Sequence, residues 1–282
     1  MPDYVAVPHL AYNWMTATYF FLGGLGAGSF LLSLMANYWK QEFKPVAKVA
    51  SLVAPIATAV GMFFLWIHLG QPFRVWRLFL SFNPRSVISW GVWFLNIFFV
   101  LSLIYAWFLA KGESARAKRF AYFGLPFAIL VSAYPGLLLM QSPGRALWHS
   151  ALVPVLFLNG ALISALAGAI LLCVGRRAAD LLSKLGRLAG WLILLELALV
   201  LVEVLVLMNG GTESVQVAKA LLAGAFSFLF LGVQIALGAV IPLLILLRSK
   251  ASPATLAVAS ALVLVGIFTM RYIIVIGGQV IN

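Results

Sequence analysis

Acidic side chains are scarce in this chain. Seven Asp and Glu occur in 282 residues, and all charged residues together make up 9%. A soluble domain carries about a quarter charged residues, so a water-facing surface is excluded over most of the length. Cysteine is nearly absent: Cys173 is alone. One thiol forms no intrachain disulfide and holds no iron–sulfur cluster, so it is expected to be a small buried apolar residue. Histidine is limited to His9, His68 and His149. Two stacked haems held between helices need more imidazoles than that, and no haem is expected. His68 closes one apolar run and His149 opens another, which puts both on the outer side, so a single outer haem is the most they could support. The glycine cluster GGLGAG (23–28) lies inside an apolar run, without the strand that a phosphate-binding loop requires. Its small residues, with Gly24 and Gly28 four apart, are expected to let helices approach closely.

What is present is apolar sequence. Hydrophobic residues reach 64%, and the mean hydropathy is +1.08. Eight runs stand out, at 14–37, 48–68, 87–110, 119–140, 149–175, 187–208, 218–247 and 254–277. Each can cross a hydrocarbon core of ~30 Å, which takes roughly 20 helical residues. The runs are continuous and lack period-two alternation, which excludes a barrel. The expected fold is an all-α integral membrane protein of eight transmembrane helices.

Positive charge alternates between the connections. Lys40, Lys44 and Lys48, then Lys111, Arg116, Lys118 and Arg119, then Arg176, Arg177, Lys184 and Arg187, then Arg248 and Lys250 flank alternate loops. These are 13 of the 19 Lys and Arg. The opposite connections hold only Arg74, Arg77, Arg85 and Arg145. The positive-inside rule therefore predicts both termini outside, on the periplasmic side of a prokaryotic cytoplasmic membrane. The formal charge of +12 then reflects topology and anionic lipid, not nucleic acid. Residues 1–13 contain Asp3 and no Lys or Arg, so the first span, rather than a cleavable leader, is expected to direct insertion. The outer loop 69–86 departs from the trend by keeping Arg74, Arg77 and Arg85 among Trp76, Phe79, Leu80 and Phe82. Aromatics of that kind suit a membrane surface, and the arginines suit an acidic partner or lipid headgroups.

The segments WMTATYFFLGGLGAGSFLL (14–32), HLGQPFRVWRLF (68–79), NPRSVISWGVW (83–93), YPGLLLMQSPGRALWHSALVPVLFLNGAL (134–162) and MRYIIVIGGQ (270–279) occur in this order. Together they resemble the NrfD/PsrC-like membrane subunits of respiratory oxidoreductases, over nearly the whole chain. The resemblance implies two four-helix bundles, divided here as 1–140 and 141–282. It implies no haem, iron–sulfur cluster or other metal in the chain itself. It implies a menaquinone or ubiquinone site near the outer surface of the first bundle. A four-cluster iron–sulfur subunit would dock on the outer loops, near Arg74, Arg77 and Arg85. That subunit would pass electrons to or from a molybdenum or tungsten pterin catalytic subunit.

A quinone site needs an apolar cleft and one or two groups that bond the carbonyls and exchange protons. The outer third of the first bundle offers Thr16, Tyr19, His68 and Tyr134, followed by Arg145. In the resembling family an Asn and a His on the first helix and a Tyr on the fourth contact quinone. Tyr134 matches that tyrosine within YPGLL. The other two positions read Thr16 and Tyr19, with Asn13 nearby and His68 as an alternative proton donor. The same residues would otherwise serve as interfacial belt or cap residues. In the second half, Glu196 and Glu203 are seven apart and share a helix face. Arg271 and Gln234 fall at comparable depths. Ionisable groups at such depth pair or face water. Two readings stand: a static Glu203–Arg271 pair, or a proton path through Glu196, Glu203, Gln234 and Arg271. A transporter or proton channel built on this set, and a purely structural anchor, are the alternatives to the quinone reading.

Overall fold

A computed structural model describes residues 12–69, 72–74, 76–80, 82–142, 144–176, 179–248 and 252–281. His9, Gly70, Arg177 and Lys250 lie outside these residues. The elements are α1 (Trp14–Leu34, prolonged through Met35–Trp39), α2 (Lys44–His68), the short α3 (Trp76–Leu80), α4 (Val87–Ala110) and α5 (Ser114–Met140). They continue with α6 (Leu152–Cys173), α7 (Ala179–Met208) and α8 (Thr212–Ala223). A wide-turned stretch, Phe228–Val240, runs into α9 (Ile241–Leu246). Last comes α10 (Pro253–Tyr272), prolonged through Ile273–Gly277 into α11 (Gly278–Val280).

Among the described residues, eight helices are long and apolar enough to cross a bilayer. Helix is the local answer because lipid offers no partner for a backbone N–H or C=O, so each span must satisfy its own. The helix starts carry the expected chemistry. The Asn13 side chain accepts from the Met15 N–H at 2.9 Å, and Ser252 accepts from the Thr255 N–H at 3.2 Å ahead of Pro253.

The seventh run differs from its sequence reading. Residues 218–247 form no single span: α8 ends at Ala223, and the membrane-length helix is Phe228–Leu246. α8 is too short to cross, and it buries Val217, Ala218 and Leu221 against α7 and the Phe228–Val240 stretch. Gly224, in extended backbone, separates the two helices. Lys219 therefore belongs to the connection between spans and not to a span. Elsewhere α2, α5 and α7 begin before the runs read from hydropathy, because helix continues through the charged first turns.

α1, α6 and α10 are the most enclosed spans, with 72%, 67% and 67% of their apolar windows buried against 22% for α4. α1 packs on α2, α5, α6 and α10, and α6 packs on α5, α7 and α10. α4 lies on α2 and α5, and the seventh span lies on α7 and α10. The α1–α6 contact is backbone-close: a β-carbon at Gly28 would overlap the Ala161 carbonyl oxygen, and one at Gly24 would touch the Ala161 side chain at 3.5 Å. The Tyr12 N–H donates to Gln279 Oε1 at 2.9 Å, so α1 begins and α11 ends on one face of the bundle, the terminal face.

Candidate functional site

A cavity of about 550 Å³ opens between the terminal-face ends of α1, α2, α4 and α5. Its wall is mostly apolar, with Phe20, Met62, Phe63, Leu65, Leu95 and Leu138 among the lining residues. Thr16 and Tyr19 enter from α1, His68 from the last residue of α2, Asn96 from α4 and Tyr134 from α5. The sequence reading placed Thr16, Tyr19, His68 and Tyr134 in one site, and the fold brings all four to this cavity.

Each group is presented for a local reason. Thr16 and Tyr19 are three apart and so share a face of α1. Both are buried, and Thr16 Oγ1 has no hydrogen-bond partner although it is shut off from solvent. Tyr134 precedes Pro135 inside α5. Proline cannot donate to the carbonyl four residues back, which opens the helix ladder next to the tyrosine. The Tyr134 ring fits against Gly91 of α4, where a β-carbon would overlap it.

Asn13 and Arg145 do not line the cavity. The Asn13 side chain instead caps α1. Arg145 Nη1 donates to the carbonyls of Gly278 at 3.3 Å and Gln279 at 2.5 Å, and its guanidinium lies 5.9 Å from the Trp148 ring. Asn96 and Tyr12 also line the cavity and escaped the sequence reading. Asn96 Nδ2 donates to the Val92 carbonyl at 2.7 Å, one helical turn back. A lone amide within an apolar span is an available signal, since polar groups at that depth are costly. Tyr12 is the other, and nothing in its local sequence marks it.

The second polar set is arranged differently from the expected pair. Among the described residues, no ion pair within 4.0 Å joins Arg271 to Glu203 or Glu196. Arg271 Nη2 donates to the Phe157 carbonyl at 2.6 Å, and the guanidinium lies over the Phe157 ring. The static Glu203–Arg271 pair is thus corrected: the arginine turns toward α6, not α7. Glu196 also faces α6, and Glu203 faces the connection just before it. Glu196 Oε2 accepts from Asn159 Nδ2 at 2.6 Å, and Glu203 Oε2 accepts from Ser150 Oγ at 2.6 Å. Oε1 of each carboxylate is buried without a partner. Two small cavities of about 20 and 40 Å³ adjoin them, one lined by Glu196 and the other by Glu203. Val200, Gln234 and Met270 line both. The Phe157 ring in turn meets Phe20 edge-on at 5.9 Å, so Arg271 stands two aromatic contacts from the main cavity.

Arg74, Arg77 and Arg85 are exposed on the segment between α2 and α4, as are Phe73, Trp76, Leu80 and Phe82. The side chain of Phe79 lies outside the described residues. Also among the described residues, no group of three or more His, Cys, Asp or Glu comes together.

The family model for polysulphide reductase, NrfD, matches residues 6–282. The chain belongs to the NrfD family. Within it, the chain is 27% identical to a selenate reductase subunit of Mesobacillus selenatarsenatis, over 95% of this chain and 73% of that protein. It is 27% identical to a polysulfide reductase chain of Wolinella succinogenes, over 96% of this chain and 95% of that one. A shorter match, 28% identical over 51% of this chain and 36% of the relative, is to an Hdr-like menaquinol oxidoreductase integral membrane subunit of Archaeoglobus fulgidus. NrfD-family membership and the eight apolar helices make this a multi-pass membrane subunit of the reductase-complex type, acting in respiratory electron transport.

Proposed function

We propose that this chain is a haem-free, quinone-reactive anchor that exchanges electrons and protons between quinone or quinol and an extracytoplasmic iron–sulfur subunit. The observation that carries the reading is the terminal-face cavity. Its volume of about 550 Å³ falls within the ~300–1,000 Å³ of small-molecule sites. It combines an apolar wall with a few convergent polar groups, the chemistry that a ring with two carbonyls and an isoprenoid tail requires. The relative named as a menaquinol oxidoreductase subunit supports the same ligand class. Menaquinone and ubiquinone both suit the wall.

Bound there, a quinol would supply two electrons and two protons. Tyr134 and Tyr19 offer hydroxyls that donate to a carbonyl oxygen, and Thr16 Oγ1 is a buried hydroxyl in want of a partner. His68 is half-buried at the cavity rim. An imidazole nitrogen can both donate and accept a proton, which suits it to move one between cavity and water. The apolar side chains exclude water from the rest of the site.

In this reading the chain folds as two four-helix bundles, 1–140 and 141–282, with both termini on the outer side of a prokaryotic cytoplasmic membrane. The mutual packing of α1, α2, α4 and α5, and of α6, α7, the seventh span and α10, supports that division. The exposed Arg74, Arg77 and Arg85 meet the four-cluster iron–sulfur partner, which connects to a molybdenum or tungsten pterin subunit. Glu196, Gln234 and Glu203, set along two adjoining cavities, form a proton path in the second bundle, with Arg271 between that path and the aromatic wall of the quinone site.

The test is quinol-dependent electron transfer by the purified complex carrying Tyr134→Phe or His68→Ala, with the soluble subunits checked to remain bound. Loss of turnover in an intact complex supports the reading. Full turnover in both variants sinks it and leaves a structural anchor.

A further inference from the structure

Tyr12 forms part of the cavity wall, yet it precedes the Asn13 cap and belongs to no helix. Its position is imposed from the far end of the chain. Gln279, in α11, grips both backbone groups of Tyr12. The Tyr12 N–H donates to Gln279 Oε1 at 2.9 Å, and Gln279 Nε2 donates to the Tyr12 carbonyl at 2.7 Å. Nε2 also donates to the Val275 carbonyl at 2.8 Å. A carbonyl accepts only from the nitrogen end of an amide, so two carbonyls on one side leave a single orientation for this side chain. The oxygen must then face the Tyr12 N–H.

The support behind the amide is equally directed. Arg145 holds the carbonyls of Gly278 and Gln279. Trp148 is buried, and its Nε1–H donates to the Ile274 carbonyl at 2.6 Å. The Trp148 ring meets the Tyr12 ring edge-on at 6.0 Å. Gly278 lies so close to the indole that a β-carbon there would overlap it. The end of the eighth span and the loop before α6 thus form one seat, and Tyr12 occupies it.

We propose that Gln279 is a positioning residue for the quinone cavity. Its amide, oriented by Val275 and locked on the Tyr12 backbone, holds the Tyr12 ring as a wall of a pocket otherwise built by the first four spans. The inference rests on the quinone reading of that cavity. It makes quinone affinity depend on a residue that touches no quinone.

The test uses the chain in its complex, in membranes. Binding is read by fluorescence quenching of heptyl-hydroxyquinoline N-oxide, a quinol analogue, beside KM and kcat for a soluble naphthoquinol. Gln279→Ala is expected to raise the analogue Kd and the quinol KM about tenfold, the scale of two lost hydrogen bonds, with kcat little changed. Tyr12→Ala should raise them similarly, and the double variant should be no worse than Tyr12→Ala alone. Gln279→Glu keeps the acceptor for the Tyr12 N–H but sets an oxygen against the Tyr12 and Val275 carbonyls, so its shift should be at least as large as that of Gln279→Ala. It also supplies the reading if Gln279→Ala fails to assemble. Additive shifts, or a Gln279 variant that lowers thermal stability with an unchanged Kd, would overturn the proposal. No binding of the analogue by the unsubstituted complex would instead overturn the quinone reading itself.

Discussion

The ring of Tyr134 occupies the space that a β-carbon at position 91 would need. Glycine at 91 is therefore a condition for Tyr134 to stand where it does, between α4 and α5 at the cavity. Gly91→Ala should push the phenol off its position while adding one methyl group. Quinol-dependent turnover is expected to fall about 10- to 100-fold, the scale of misplacing a catalytic group by an ångström or so. Steady-state kinetics on assembled complex check this, and unchanged turnover would show that Tyr134 has no positional role.

Thr16 gives a test in the opposite direction. Its Oγ1 is buried and unpartnered, so the chain gains nothing from it in the absence of ligand. Thr16→Val should leave thermal stability unchanged or raise it by up to about 1 kcal/mol. The same change should weaken quinol-analogue binding about fivefold, the scale of one hydrogen bond. A destabilised variant with normal binding would assign the hydroxyl to structure.

Asn159 donates to Glu196 from within the bundle. Asn159→Leu should strand a buried carboxylate and cost about 1–3 kcal/mol in unfolding experiments on the solubilised chain. Adding Glu196→Gln should recover part of that cost, because a neutral amide is cheaper to bury than an unpaired carboxyl group. Equal losses in the single and double variants would show that no stranded carboxylate contributes to the cost.

Arg74, Arg77 and Arg85 are expected to act on the partner and not on the cavity. Reversing all three to Glu should release the soluble subunits at lower salt than in the native complex, while quinol-analogue binding to the membranes stays unchanged. Retention of the subunits at every salt concentration would remove these arginines from the interface.

Much of this was legible in the sequence because hydropathy and lipid leave few options. Seven of the eight runs became spans, 87–110 with both ends as read and the others with one or both ends shifted, and Gly24 and Gly28 meet α6 as their spacing suggests. The seventh run misled because 218–247 is apolar almost throughout, so only Gly224 and Lys219 hint that a short amphipathic helix precedes the span. The four cavity residues on α1, α2 and α5 were found because hydroxyl, phenol and imidazole groups at one end of apolar helices are conspicuous and because three of them fall at the positions that the family resemblance marks. Asn96 was passed over inside an apolar run. Tyr12 could not be seen at all, since its placement depends on Gln279, which lies 267 positions away. The Glu203–Arg271 expectation failed for a related reason. Depth along a helix is readable from residue count, but the direction a side chain takes around the helix axis depends on partners such as Ser150, Asn159 and the Phe157 carbonyl.

The central claim is that quinone occupies the terminal-face cavity of the first four spans. The most direct measurement is photolabelling of the complex with an azidoquinone, followed by mass spectrometry of the labelled peptides. The account predicts label on peptides containing Tyr12–Tyr19, Met62–His68, Ile88–Asn96 or Tyr134–Leu138, suppressed by excess unlabelled quinone. Competed label confined to α7, the seventh span or α10 would contradict it.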